Sequence, residues 1–339
     1  MDIYKLLEDL TGKYGPSGKE DVLAEFIISE AKKYCDEITT DVLGNVIARK
    51  KGNGAKLMFS AHMDSIGLIV THIEKEGFLR VGAVGGIDPH KILFSPVKFH
   101  NGTKAVVMKE EKVTYANLKV EHLLLDIGAK SAEEAEKMVQ PGDMAVFATE
   151  TMKLEGESPS IVSPYMDNRV ACGILLAVME KLQGQSVEND IYFVFSVQEE
   201  VGLRGAKPAA YAIDPAYGIA VDVTGVCDLP ESSKGATSKL GDGAGVKIMD
   251  RSIICHPEVV EILEKIATEK KIAHQRDIIK MGGTDAGVIH TSRGGVKTGG
   301  ISVPCRYIHS PSEMANLGDI QACIDLSLGL CQYPLEKKS

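Results

Sequence analysis

The sequence predicts an α/β fold interrupted by a small β-rich insertion, and three observations carry that prediction. Apolar, β-branched runs such as Ile191 to Val197 show no alternation and stop abruptly at polar side chains, as strands covered on both faces do. Stretches of helical apolar spacing follow these runs. Between about residues 68 and 157 the pattern changes to short β-like runs separated by Gly-rich turns. Segments 1–67 and 158–339 therefore read as one α/β domain, and 68–157 as a domain inserted into it.

Taken in order, Asp2 to Leu10 predict a short amphipathic helix that Gly15-Pro-Ser-Gly18 breaks. Ser17 and Glu20 stand in capping-box relation to a second helix, Asp21 to Lys33, with Val22, Phe26 and Ile27 on its apolar face. Strands at 38–40 and 45–48 flank the turn at Gly44. A loop containing Gly52 and Gly54 leads into the strand Lys56 to Ser60, which runs into Ala61-His-Met-Asp64. Inside the insertion, strand-like runs lie at 78–81, 97–99, 105–109 and 144–148, with one helix opened by a capping-box pattern at Ser131. A helix from Arg169 to Leu182 then precedes the strand that ends at Glu199 and Glu200, where Gly202 turns the chain. A helix at 206–212 and a strand from Tyr217 to Val223, carrying Asp222, come next. The glycine-rich segment 241–245 leads to a short strand, Pro257 opens a helix to about Lys270, and Gly282-Gly-Thr-Asp285 opens another. The strand Gly300 to Val303 delivers Tyr307-Ile-His-Ser310, and a last amphipathic helix spans 317–331.

Composition narrows the function. A net charge of -9 with no long basic run argues against a nucleic-acid partner. No apolar stretch reaches membrane-spanning length and the start is amphipathic rather than signal-like, so the expectation is a cytoplasmic protein with no membrane partner. The seven cysteines contain no Cys-x-x-Cys pair and fit reduced thiols, Cys172 reading as a small core residue. With no Trp and 5% aromatic residues, stacking platforms for bases or sugars are scarce.

The chemistry gathers at strand ends, where open α/β sheets form their ligand sites. His62 and Asp64 follow one strand, Glu199 and Glu200 a second, Asp222 a third and His309 a fourth, while Asp167 opens the helix led by Ser163-Pro-Tyr-Met. Singly, each has a plainer reading. His62 could be a hydrogen-bonded core histidine, Asp167 or Asp222 a helix cap, Glu200 a surface charge and His309 part of an edge strand. Jointly they imply a common centre, because adjacent buried carboxylates need a positive partner to stay ionised. Two imidazoles with carboxylates and no Cys suit zinc, cobalt or manganese rather than a structural thiolate site, and calcium would take more oxygens.

The ordered set His62-Met-Asp64, Asp167-Asn-Arg169, Glu199-Glu200, Asp222 and Tyr307-Ile-His309-Ser-Pro resembles the cocatalytic dinuclear zinc aminopeptidases. Within these it is similar to the tetrahedral and glutamyl aminopeptidase family, some of whose members carry a cellulase or endoglucanase label, over nearly the whole chain. The resemblance implies a mixed sheet sandwiched by helices and two divalent ions per subunit, zinc first, with cobalt or manganese as alternatives. It implies that His62 and Asp222 hold one ion, Glu200 and His309 the other, and that Asp167 bridges them. Asp64 would fix the tautomer of His62, and Glu199 would be the general base for hydrolysis of N-terminal residues from peptides. It further implies a cis peptide at Asp167-Asn168 and an inserted domain that mediates dimerisation and assembly into a dodecamer. Ser65 stands where many relatives carry Glu, which points to a changed site rim, and Asn168 where some carry a second Asp.

Three rivals remain at this stage. A glycosidase also uses paired carboxylates but needs no imidazole cluster and wants aromatic platforms. A metal-dependent deacylase of small amides is chemically closer. A nucleotide-binding module would rest on Gly241-Asp-Gly-Ala-Gly245, which has only the first Gly-x-Gly of such a motif. A loop over the active site is the preferred reading of that segment, while 282–285 reads equally as a helix cap or a substrate-facing loop.

Overall fold

The computed structural model describes residues 1–232 and 235–338. Helices Ile3–Thr11 and Asp21–Ala31 precede strands β1 (Glu37–Thr40), β2 (Val46–Lys50) and β3 (Lys56–His62). Six strands follow in the insertion: β4 (Gly67–Ile73), β5 (Leu79–Val84), β6 (Pro96–Phe99), β7 (Lys104–Lys109), β8 (Leu123–Asp126) and β9 (Met144–Phe147). The chain returns through β10 (Met152–Leu154) and β11 (Ser160–Ser163) to the helix Met166–Lys181, β12 (Asp190–Ser196), the helix Ala206–Ile213 and β13 (Tyr217–Gly225). The remainder comprises β14 (Ala244–Met249), helix Pro257–Glu269, β15 (His274–Ile278), helix Ala286–Ile289, β16 (Lys297–Arg306), β17 (Glu313–Asn316) and helix Leu317–Gln332.

The main sheet has eleven strands, with a path of β1-β2-β12-β3-β13-β16-β17-β11-β10 and β14 and β15 attached beside β16. Four central neighbours, β12, β3, β13 and β16, are parallel, and their flanks are antiparallel. The sheet is therefore mixed, and its parallel centre aims four carboxyl ends at one edge. Along β3, Leu57, Phe59 and Ala61 enter the large core, whereas Met58 packs on the opposite face with Ala206 and Ile289. Both faces are covered, which is why β3 and β12 read as unbroken apolar runs. Phe59 and Phe193 stack across the pair, centroids 5.6 Å apart, a contact contributing roughly 0.5–1.5 kcal/mol beyond burial. The helix Met166–Lys181 is buried along nearly its whole length, as its apolar circumference requires.

The six insertion strands close into a barrel in the order β4-β5-β8-β7-β6-β9, with its own core of Leu68, Val70, Val97, Leu123, Leu125 and Phe147. Closure removes the sheet edges that short strands would otherwise expose. The barrel strands end at Phe147, and β10 already pairs with β11 in the main sheet. Among the described residues no helix is long and apolar enough to cross a membrane.

Candidate metal centre

The strand ends converge. His62 is the last residue of β3, in register with Ser196 at the end of β12, and Asp222 lies on β13 opposite Ser302 of β16. After β12 the chain turns through Gln198, whose φ of 55° is unusual for a side-chain-bearing residue, and presents Glu199 and Glu200. Two buried side chains hold this turn. Asn45 accepts from the Val197 amide at 3.0 Å and donates to the Gly205 carbonyl at 2.9 Å. Glu20 accepts from the amides of Gly18 and Gln198 at 2.8 and 3.1 Å. Asp167 enters at the start of the long helix, across a cis Asp167-Asn168 peptide.

His62 Nε2 lies 3.1 Å from Asp167 Oδ1 and 3.8 Å from Asp222 Oδ1. His309 Nε2 lies 3.3 Å from Asp167 Oδ2 and 3.2 Å from Glu200 Oε2. Two donor groups result, His62-Asp167-Asp222 and Asp167-Glu200-His309, each with its ligand atoms within 4.8 Å of one another, and Asp167 serves both. Four-coordinate zinc with bonds of ~2.0–2.1 Å separates neighbouring donors by about 3.3 Å, and three of the four distances above, 3.1, 3.2 and 3.3 Å, are compatible with that spacing. Two further features fit a divalent cation. Among the described residues no lysine or arginine pairs with these carboxylates. Glu200 Oε1 is buried with no hydrogen-bond partner at all. Glu199 belongs to neither group: its Oε2 stands 3.8 Å from His62 Nε2, beside a cavity of about 830 Å³.

Comparison with known proteins identifies the family. Residues 44–326 match the profile described as M42 glutamyl aminopeptidase. The chain belongs to the M42 glutamyl aminopeptidase family. A lysyl aminopeptidase of Pyrococcus furiosus is 34% identical over 342 residues, covering 97% of this chain and 96% of that one. The aminopeptidase APDkam598 of the archaeon Desulfurococcus kamchatkensis superposes with a TM-score of 0.92 at 37% identity, over 97% of this chain and 94% of that one. The TET1 peptidase of Pyrococcus horikoshii, described as able to assemble into a tetrahedron or a large octahedral shell, gives a TM-score of 0.88 at 31% identity, over 97% and 99% of the two chains. Membership makes this M42 protein a peptidase, an enzyme of the hydrolase class.

The electrostatics of this M42 centre follow from burying acids together. Burial, then the neighbouring carboxylates, raises Asp222 and Glu199 well above the usual carboxylate range, and Glu200 rises for the same reasons. Burial opposes protonation of the two histidines, but the surrounding carboxylates outweigh it. His62 is carried well above its ordinary value and His309 to about 11. Asp167 goes the other way: burial resists, yet its bonds to His309 and His62 hold it below the ordinary value.

Asp64 is fully enclosed. It faces His62 Nδ1 at 3.4 Å, accepts from Ser17 Oγ at 2.6 Å and takes the amides of Glu199 and Glu200 at 2.9 and 3.2 Å. The capping box expected from Ser17 and Glu20 is therefore absent, since both side chains are drawn to long-range partners and Glu20 makes no side-chain cap. Ser65 does not shape the rim; it is buried, with its hydroxyl donating to the Gly15 carbonyl. The segment at Gly241 does not cover the site either, because Asp319 at the start of the last helix accepts its Gly241 and Gly243 amides at 2.7 Å each. Gly282, Gly283 and Thr284 do line the cavity.

Two acids escaped the sequence reading. Asp285 stands at the N-cap position without a side-chain cap and lies buried, accepting from Ser60 and Ser196 at 2.7 and 2.5 Å. Glu313, 1% exposed, accepts the amides of both Asp167 and His309. Neither sits at the end of an apolar run, the signal that marked His62, Glu199 and Asp222.

Proposed function

We propose that this M42 enzyme removes N-terminal residues from peptides, with two divalent ions held as the donor groups divide: His62 and Asp222 for one, Glu200 and His309 for the other, and Asp167 for both. The observation that supports this best is the shared position of Asp167 between two groups spaced for metal binding. Zinc suits the nitrogen and oxygen donors, with cobalt or manganese able to replace it. Bound there, such ions lower the pKa of water and polarise the scissile carbonyl.

The chain's own residues supply the rest. Asp64, whose main-chain carbonyl lies 3.1 Å and whose carboxylate lies 3.4 Å from Nδ1 of His62, fixes the tautomer that leaves Nε2 free toward Asp167 and Asp222. Glu199 takes the proton of the attacking water and returns it to the leaving amine, a task that suits a buried carboxyl held above its ordinary range by burial. Leu203, Val223, Ile279 and Met281 line the cavity beside it and receive the substrate. Glu199→Gln should keep both ions and lose ~10²–10⁴ in turnover. Near-normal turnover would take Glu199 out of this role. The deacylase and endoglucanase readings are separated by substrates: a free aminoacyl amide should be cleaved, its N-acetylated form and cellulose should not.

The barrel, on this reading, mediates assembly of dimers into a dodecamer, for which exposed Phe94, Val106 and Tyr115 provide apolar surface. Light scattering at the mass of one 36.5 kDa chain would count against it. Seven unpaired thiols suit a reducing compartment, and we read the enzyme as cytoplasmic.

A further inference from the structure

Glu313 opens β17 at the base of the turn from β16, opposite Ser163 of β11. It thus stands between the two segments that deliver Asp167 and His309. Each of its oxygens accepts one backbone amide: Oε2 that of Asp167 at 2.8 Å, Oε1 that of His309 at 2.7 Å. Among the described residues it pairs with no lysine or arginine, and it is 1% exposed. A carboxylate is not buried this way for the stability of the empty protein, since desolvating it is costly without a cation.

A second observation concerns the loop it holds. Tyr307 and His309 have φ of 61° and 60°, a conformation that residues with a side chain adopt only when their surroundings enforce it. The amide of His309 is fixed by Glu313, and the carbonyl of Ile308 accepts from Lys91 Nζ at 2.7 Å. A Cβ on Gly86 would lie 2.8 Å from His309 Nδ1, so only glycine lets that neighbouring loop close against the ring. The imidazole is aimed by these contacts rather than by a strand.

We propose that Glu313 is the positioning residue for the Asp167-Glu200-His309 group, clamping the shared carboxylate and the loop imidazole to one another through their backbones. This rests on the metal reading above, but the two fail separately. Its two amide bonds need two acceptor oxygens, so Glu313→Gln must turn an NH₂ toward one of the two amides and release that ligand.

The test is metal binding by competitive chelation, with cobalt(II) absorption as a report on coordination. Wild type should take up two ions per chain. Glu313→Gln should bind one ion as wild type does and the second roughly 10–100-fold more weakly, with an altered cobalt spectrum. The melting temperature of its chelator-treated form should stay close to that of wild type, because the substitution keeps the buried volume and exchanges a single oxygen for an NH₂. Glu313→Asp, which keeps both oxygens but is one methylene short, should fall between the two and serves if the Gln variant does not fold. Two ions bound at wild-type affinity with an unchanged cobalt spectrum would overturn the clamp and leave the function standing. A wild-type chain that binds no metal would end both.

Discussion

The two halves of the candidate metal centre are built differently. His62 ends a central strand, its side chain is 2% exposed, and the buried Asp64 backs its ring. His309 sits on a loop in the left-handed region, its side chain 29% exposed and its backbone tied down by Glu313 and Lys91. A donor fixed by a sheet keeps its place without the ion, whereas one fixed by a loop depends on a few contacts. On the proposed reading one shared carboxylate joins a rigid half to an adjustable one, and both halves line the cavity.

The sharpest way to break this comparison is to remove the ions one at a time. The ion of the His309 group should leave first, with about tenfold or more difference in dissociation constant between the halves. Simultaneous loss, or retention in the His309 group, would show that the two halves hold equally or in the reverse order. A smaller effect probes the rigid half. Asp64→Asn should weaken the ion at His62 by ~10–100-fold with little change at the other position, read by metal titration; equal weakening at both would mean that Asp64 serves the whole turn.

The smallest effect is in pH. In the chelator-treated chain Glu313 is raised to about 8, by burial first and then by Asp167. A carboxyl whose folded pKa lies above its unfolded value contributes stability that is complete below the ordinary range and lost as pH rises through the folded value. Glu199 and Asp222 are shifted in the same sense, as is His309 with its value of about 11. Asp167, shifted down, acts only in acid. The melting temperature of the metal-free protein should therefore fall from pH 6 to pH 9, and metal uptake at neutral pH should release protons. A melting temperature that rises over that interval would contradict these shifts.

How much of this could be read from the sequence depends on distance along the chain. His62, Glu199 and Asp222 were legible because a covered strand is apolar until its carboxyl end, and the first polar side chains there are conspicuous. The insertion was legible because short strands and Gly turns differ from their α/β surroundings. The short strands β11, β15 and β17 were not, since four or five residues carry little periodicity of their own. Ser17 shows the opposite failure. Its spacing to Glu20 is that of a capping box, but Asp64, 47 residues away, is an ionised acceptor and takes the hydroxyl instead. Glu313 carries no local mark, and the mark of Asp285 is that of a helix opening, because what defines both is the buried donors that the fold brings to them.

The direct test of the central claim is anomalous diffraction from crystals of the zinc- or cobalt-loaded protein. Two peaks should appear, one among His62, Asp167 and Asp222 and one among Asp167, Glu200 and His309, each bonded to an oxygen of the same aspartate. A single peak away from Asp167, or ions bound elsewhere with these side chains unligated, would contradict the account.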